Sequence, residues 1–189
     1  MAAHREELEC GERVLRFADE SFLLWGDLCG YAWGKRNERV SVPMGNLKSR
    51  QTFYGGIDAR TGEMHGVPCP KAESAATTDC LTEMMYRYPK AKITICRDNA
   101  KRHRGEETSR FLDEGNAGLP PEEWPLTLLN FAPHDPEQNP VAAVWRQDKN
   151  DLRQQRLEAS QFDEVIAAFE ARLERQVFDF PKLRMYEAS

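Results

Sequence analysis

Residues 93–103 read ITICRDNAKRH. The run from Ile93 to Cys96 has the length and β-branched content of a short buried strand. It ends at Asp98, which is followed by Asn99, Ala100 and, across Lys101 and Arg102, by His103. Upstream, residues 13–21 read RVLRFADES and repeat the design: 14–18 form a buried strand, reached through a charged, helical stretch over 6–12, with Asp19 at its C-terminal end. Residues 51–58, the turn 59–62 and residues 63–69 read as a β-hairpin, with Gly62 supplying the positive φ that short hairpin loops need. A strand near 31–33 would complete a meander.

The periodicity then changes. Ala76, Cys80, Leu81, Met84, Met85 and Tyr88 recur at helical spacing over 72–88, and Pro89 closes the segment. Met84 and Met85 therefore read as packing residues. A helix at 106–114 and a strand at 126–130 follow the Asp98 strand. A meander followed by alternating helices and strands is a mixed α/β pattern, in which right-handed crossovers set later strands parallel to the first. With the Asp98 strand beside the Asp19 strand, both carboxylates emerge at one sheet edge, where open α/β sheets carry their sites. Two neighbouring carboxylates repel and gain most by sharing a divalent cation, preferably Mg²⁺.

A third block, APHDPEQNPVAAVW at 132–145, carries helix-start chemistry. Asn139 suits the cap and Pro140 the first helical position, so Ala142 falls third. At about 100° per residue, Ala142, Arg146, Lys149, Arg153 and Arg156 share one face, expected to look outward, and Val141, Val144, Trp145 and Leu152 share the packing face. An acid at 142 would project towards the site with a basic stripe behind it. Asp148 lies about 120° around the helix, towards the packing side. A last helix is expected with Ser160 as cap, Asp163 three residues on, and an apolar stripe of Phe162, Val165, Ile166, Phe169, Leu173 and Val177. Phe178, Phe180 and Tyr186 would add aromatic surface.

A net charge of −5 over 189 residues argues against bulk electrostatic binding of nucleic acid, so any DNA contact must be local. Basic residues do cluster, at Lys35, Arg36, Arg39, Lys48 and Arg50, at Lys101, Arg102 and Arg104, and along the 146–156 stripe; solvated surface is the plain alternative for each. The five cysteines, Cys10, Cys29, Cys69, Cys80 and Cys96, show no pairing or zinc spacing. No apolar run approaches membrane-span length and the start lacks a signal-peptide pattern, so one soluble intracellular domain over 1–189 is expected. His103 reads equally as a phosphate-orienting or a surface group. His65 reads as structural, Gly55-Gly56 as a close backbone approach, His134 as part of loop geometry, and Glu20 as pointing to the opposite sheet face.

Taken together, Asp19-Glu20, Asp98-Asn99-Ala100 with His103, and Asn139-Pro140 with Trp145 resemble the DDE catalytic domain of mariner-related bacterial insertion-sequence transposases. The resemblance covers about residues 14–153. It implies a ribonuclease H-like mixed sheet of antiparallel meander and parallel strands flanked by helices. It also implies two Mg²⁺ or Mn²⁺ ions, metal-dependent nicking at transposon ends and transfer of the freed 3′-hydroxyl to target DNA. Asp19 would bridge both ions, Asp98 would hold one, and the third acid the other. Ala142 stands in that acid's place, through deliberate replacement or natural loss, so the resemblance implies a catalytic domain with little or no activity. Asp135 and Glu137 remain as substitutes if the preceding loop folds back.

DNA contacts are expected from Arg146, Lys149, Arg153, Lys101, Arg102 and His103. The partners implied are transposon ends, target DNA and a second copy in a homodimeric complex, without membrane, in a prokaryotic cytoplasm at the nucleoid. Helix-turn-helix modules precede this domain in the family, and the chain begins too late to include them. A non-catalytic DNA-binding or assembly module on the same fold is the alternative, and a junction- or hybrid-cleaving nuclease a third reading.

Overall fold

The computed structural model describes residues 4–29, 34–38, 48–69, 74–98, 106–132, 138–154, 159–174 and 176–184, with the side chains of 74–76 and 184 left aside. The elements are α1 (Arg5–Cys10), β1 (Arg13–Leu24), a 3₁₀ turn (Trp25–Leu28), β2 (Arg50–Asp58), β3 (Met64–Cys69), α2 (Ser74–Arg87), β4 (Lys92–Arg97), α3 (Glu106–Gly115), β5 (Leu126–Asn130), α4 (Val141–Gln154), α5 (Phe162–Leu173) and α6 (Pro181–Arg184). The sheet order is β3-β2-β1-β4-β5. β1, β2 and β3 form the antiparallel meander, and β4 and β5 add in parallel to β1. The expected strand near 31–33 lies outside the described residues.

Alternation along β1 builds both faces of the sheet. Leu15, Phe17 and Leu23 face the core formed with Val144, Trp145 and Leu152 of α4 and Val165, Phe169 and Leu173 of α5. Ala18 joins Tyr54, Ile93 and Ile95 against Cys80, Leu81 and Met84 of α2 on the other face. Met84 is thus a packing residue, and Cys96 is buried in β4.

β1 is longer than its apolar run predicts. Asp19 sits inside the strand rather than at its end, because β2 continues as antiparallel partner from Asp19↔Gly55 to Leu24↔Arg50. Parallel pairing with β4 runs only as far as Phe17↔Cys96. Asp19 therefore lies where β1 has left the last rung of its parallel neighbour. Across the hairpin a Cβ at Gly55 would lie 2.6 Å from the His65 carbonyl oxygen, which accounts for the small residue there.

The C-terminal segment differs from expectation in three respects. Glu164, not Asp163, caps α5: its carboxylate accepts from the backbone N–H of Ser160 at 2.7 Å and of Gln161 at 3.3 Å. Val177 leaves the apolar stripe and is 67% exposed, since the chain after α5 bridges to Glu63. Phe178 is buried rather than a surface aromatic. Its N–H donates to Gly62 O at 2.8 Å, and Gly62, at φ 73°, has no room for a Cβ beside the Phe178 carbonyl. Tyr186 lies outside the described residues.

Buried charge concentrates near the start of β1. Arg13 donates to Glu7 Oε2 at 2.6 Å and to Thr94 Oγ1 at 3.2 Å, and Lys92 donates to Glu7 Oε1 at 2.6 Å. Arg16, fully buried, donates to the Tyr88 hydroxyl at 2.7 Å and to the Gly56 carbonyl, and the Tyr88 hydroxyl reaches Asp58 Oδ2 at 3.5 Å. Among the described residues no helix is long and apolar enough to cross a membrane.

Candidate active site

The register of β1 and β4 directs the two aspartates to the same end of the sheet. Phe17 is opposite Cys96, and the same offset carried two residues further sets Asp19 opposite Asp98. Adjacent strands lie about 5 Å apart. Side-chain parity agrees, because Phe17 and Cys96 both belong to the core on the α4 side, and Asp19 and Asp98 share that parity. Both are half-buried. The Glu20 N–H donates to Asp19 Oδ1 at 2.8 Å. Glu20 has the opposite parity, on the face of Tyr54, whose hydroxyl is pushed up first by burial and also by the nearby Cys80, Asp19 and Glu20.

α4 begins beside this pair. Asn139 is buried, its Nδ2 donates to the Ala18 carbonyl at 3.1 Å, and its Oδ1 accepts from the Val141 N–H at 3.2 Å. One side chain thus caps the helix and fixes its start to the residue before Asp19. Val141, Val144, Trp145 and Leu152 are buried, as their spacing predicts. Ala142 is exposed at the helix start. Asp148 is fully buried, and its carboxyl is pushed up to about 7 by burial, against the pull of Arg172 and with help from Asp151.

The basic row does not face outward as a whole. Lys149 donates to the Phe22 carbonyl and lies 3.2 Å from Asp27 Oδ2, and Arg153 reaches Asp27 Oδ1 at 3.2 Å and the Asp27 carbonyl at 3.1 Å. Their face turns back onto the end of β1, because a buried carboxylate there attracts both cations. Arg146 is exposed. Lys101, Arg102, His103, Asp135, Glu137 and Arg156 lie outside the described residues, as does His134. Asp27 was not legible beforehand, since it lies over 120 residues from both cationic partners.

Two hard carboxylates suit Mg²⁺ or Mn²⁺. Among the described residues no group of three or more His, Cys, Asp or Glu side chains could hold a metal ion. His65 of β3 is driven down to about 4 by burial, then by Arg16 and Arg87, and stands away from the acids. A cavity of about 370 Å³ opens by Leu8, Arg13, Ala59 and Tyr88, at the other end of β1. It contains neither Asp19 nor Asp98.

A five-stranded mixed sheet of this order, with helices on both faces, is the ribonuclease H-like fold of transposase and integrase catalytic cores. The chain belongs to the DDE superfamily endonucleases, whose family model matches residues 14–166. Among solved structures it is similar to the Mos1 mariner paired end complex with Mn, at 10% identity and TM-score 0.62 over 99% of this chain and 54% of that one. It is also similar to the catalytic domain of Mos1 mariner transposase, at 11% identity and TM-score 0.57 over 99% and 80%. The catalytic core domain of BIV integrase matches at 14% identity and TM-score 0.50, over 84% and 80%. At such identities the likeness is one of fold. The chain spans about half the length of the Mos1 chain in the paired end complex. No curated protein matches it.

Proposed function

We propose that this chain is the catalytic domain of a DNA transposase, built for metal-dependent nicking and strand transfer and silenced at Ala142. The observation that carries the reading is the shared edge and parity of Asp19 and Asp98 beneath a helix start held to the Ala18 carbonyl. Asp19 and Asp98 would hold divalent ions, Mg²⁺ or Mn²⁺, with position 142 completing the set in an active form. Bound there, such ions lower the pKa of the attacking water and stabilise the departing oxygen. The residues' task is to hold the scissile phosphate in line: in nicking, water attacks phosphorus and the bond to the 3′-oxygen breaks, leaving a 3′-hydroxyl and a 5′-phosphate. In strand transfer that hydroxyl attacks the phosphorus of a target phosphodiester, whose bond to its own 3′-oxygen breaks, so the transposon end is joined to the target 5′-phosphate and a target 3′-hydroxyl is released.

Arg146, exposed one turn beyond Ala142, is suited to a DNA phosphate, with Lys101, Arg102 and His103 assigned the same role. Lys149 and Arg153 contribute field rather than direct contact while Asp27 holds them. The partners are transposon ends and target DNA, with a second copy of the chain in the assembled complex, in a prokaryotic cytoplasm. A whole transposase would add DNA-binding modules.

The exposed methyl group at 142 supports a second reading, a non-catalytic DNA-binding or assembly module. Ala142→Glu, joined to DNA-binding modules and given cognate ends with Mg²⁺ or Mn²⁺, separates the two. Cleavage by Ala142→Glu and not by the parent supports the silenced enzyme. No cleavage, with DNA binding unchanged by Asp19→Ala, supports the module.

A further inference from the structure

We infer that Asp27 is a positioning residue that sets the rotation of α4, and so decides where residue 142 faces. This rests on the reading of Asp19, Asp98 and position 142 as a cation site. Asp27 lies in the 3₁₀ turn that ends β1 and is 8% exposed. Its carboxylate collects three donors: the Leu24 N–H at 3.0 Å, Lys149 Nζ at 3.2 Å and Arg153 Nη2 at 3.2 Å. A carboxylate holding two cations four residues apart on one helix fixes that helix in rotation as well as position.

The helix has a second anchor on the same strand, the Asn139 amide on the Ala18 carbonyl. From Asn139 to Lys149 a helix rises about 15 Å. From Ala18 to Phe22, whose carbonyl receives Lys149, a strand rises about 13 Å. The near match means α4 runs alongside β1 in the same direction, tied at both ends. Residue 142 lies within about 20° of both 149 and 153 around the helix, which are about 40° from each other. Because 149 and 153 are turned onto the end of β1, residue 142 is turned towards β1 as well, one residue past the Ala18 anchor and so towards Asp19. Without the Asp27 carboxylate, Lys149 and Arg153 would keep only the Phe22 and Asp27 backbone carbonyls, and α4 would rest on these, the Asn139 anchor and its apolar packing, which together tolerate more roll.

The test is Mn²⁺ binding, followed by electron paramagnetic resonance of free Mn²⁺ and by calorimetry, on the parent, Asp27→Asn, Ala142→Glu, and Ala142→Glu combined with Asp27→Ala or Asp27→Asn. Thermal melts establish that each protein is folded. Ala142→Glu is expected to bind Mn²⁺ more tightly than the parent, and either Asp27 substitution to weaken that binding about 10-fold or more, as loss of outer-shell support does at metal sites. The parent's weaker binding should move less than threefold on Asp27→Asn. Tighter binding by Ala142→Glu that survives both Asp27 substitutions overturns the positioning role and leaves the site standing. No gain from Ala142→Glu overturns the site reading, and the role of Asp27 with it.

Discussion

At the start of β1, Arg13 and Arg16 are each answered from neighbouring elements: Glu7 and Thr94 for one, Tyr88 and the Gly56 carbonyl for the other. A few residues further along the same strand, Asp19 is set by register beside Asp98, a group of its own sign. The first arrangement stabilises the fold by satisfying buried charge. The second directs two acids to one end of the sheet, the arrangement on which the proposed cation site rests. One strand thus carries structural charge at its start and an acid of the proposed site past its middle.

The comparison breaks most visibly at Arg16. Arg16→Met removes a fully buried cation and leaves the Tyr88 hydroxyl, Asp58 and the Gly56 carbonyl without it, so a loss of about 3–5 kcal/mol is expected in urea unfolding. Asp19→Ala should do the reverse. In the Ala142→Glu background it should lower DNA cleavage about 100-fold or more, while the unfolding midpoint falls much less than for Arg16→Met. A clear loss of stability on Asp19→Ala would place Asp19 among the structural charges and undo the contrast.

Asp148 sharpens the contrast from a third position, a buried acid with a structural cost. It is fully buried on α4, its Oδ2 has no hydrogen-bond partner, and burial raises its carboxyl to about 7 in spite of Arg172. In the unfolded chain the same group titrates near 3.8. The folded state therefore holds the extra proton between these values, and stability falls as pH rises from about 4 to about 7, with the full cost above 7. Asp148→Asn should be more stable than the parent at pH 8, by a margin that shrinks to nothing below pH 4. Equal midpoints at pH 8 would mean that Arg172 already compensates the charge.

Much of this was legible because it is local. The 126–130 strand, the hairpin with Gly62, and the faces of α2 and α4 follow from periodicity and turn chemistry within a few residues. The pairing of Asp19 with Asp98 needed only a right-handed crossover and two short strands. What stayed hidden depends on distant partners. The extension of β1 to Leu24 is supplied by β2 and carries no apolar signal of its own. The turning of Lys149 and Arg153 is decided by Asp27, so a row of cations that reads as a DNA face is partly spent inside the fold. Phe178 looked like surface because its partner, Gly62, lies over a hundred residues away.

The smallest expected effect lies at the structural end of β1, where Glu7 links α1 to two strands. Lys92 and then Arg13 hold its carboxyl down to about 2, by hydrogen bonds first and charge second, against a weak opposing burial. The unfolded value is near 4.5, so the unfolded state takes up the proton first as pH falls. The contribution of Glu7 is therefore complete above about 4.5 and drains away as pH drops towards 2. Glu7 remains partly open to water at 23% exposure, so screening reduces what the shift is worth. Glu7→Gln should cost little at pH 7, lower the midpoint further at low salt than at high salt, and match the parent near pH 2. Salt-insensitive loss at pH 7 would show that Glu7 acts through packing of α1 rather than through its charge.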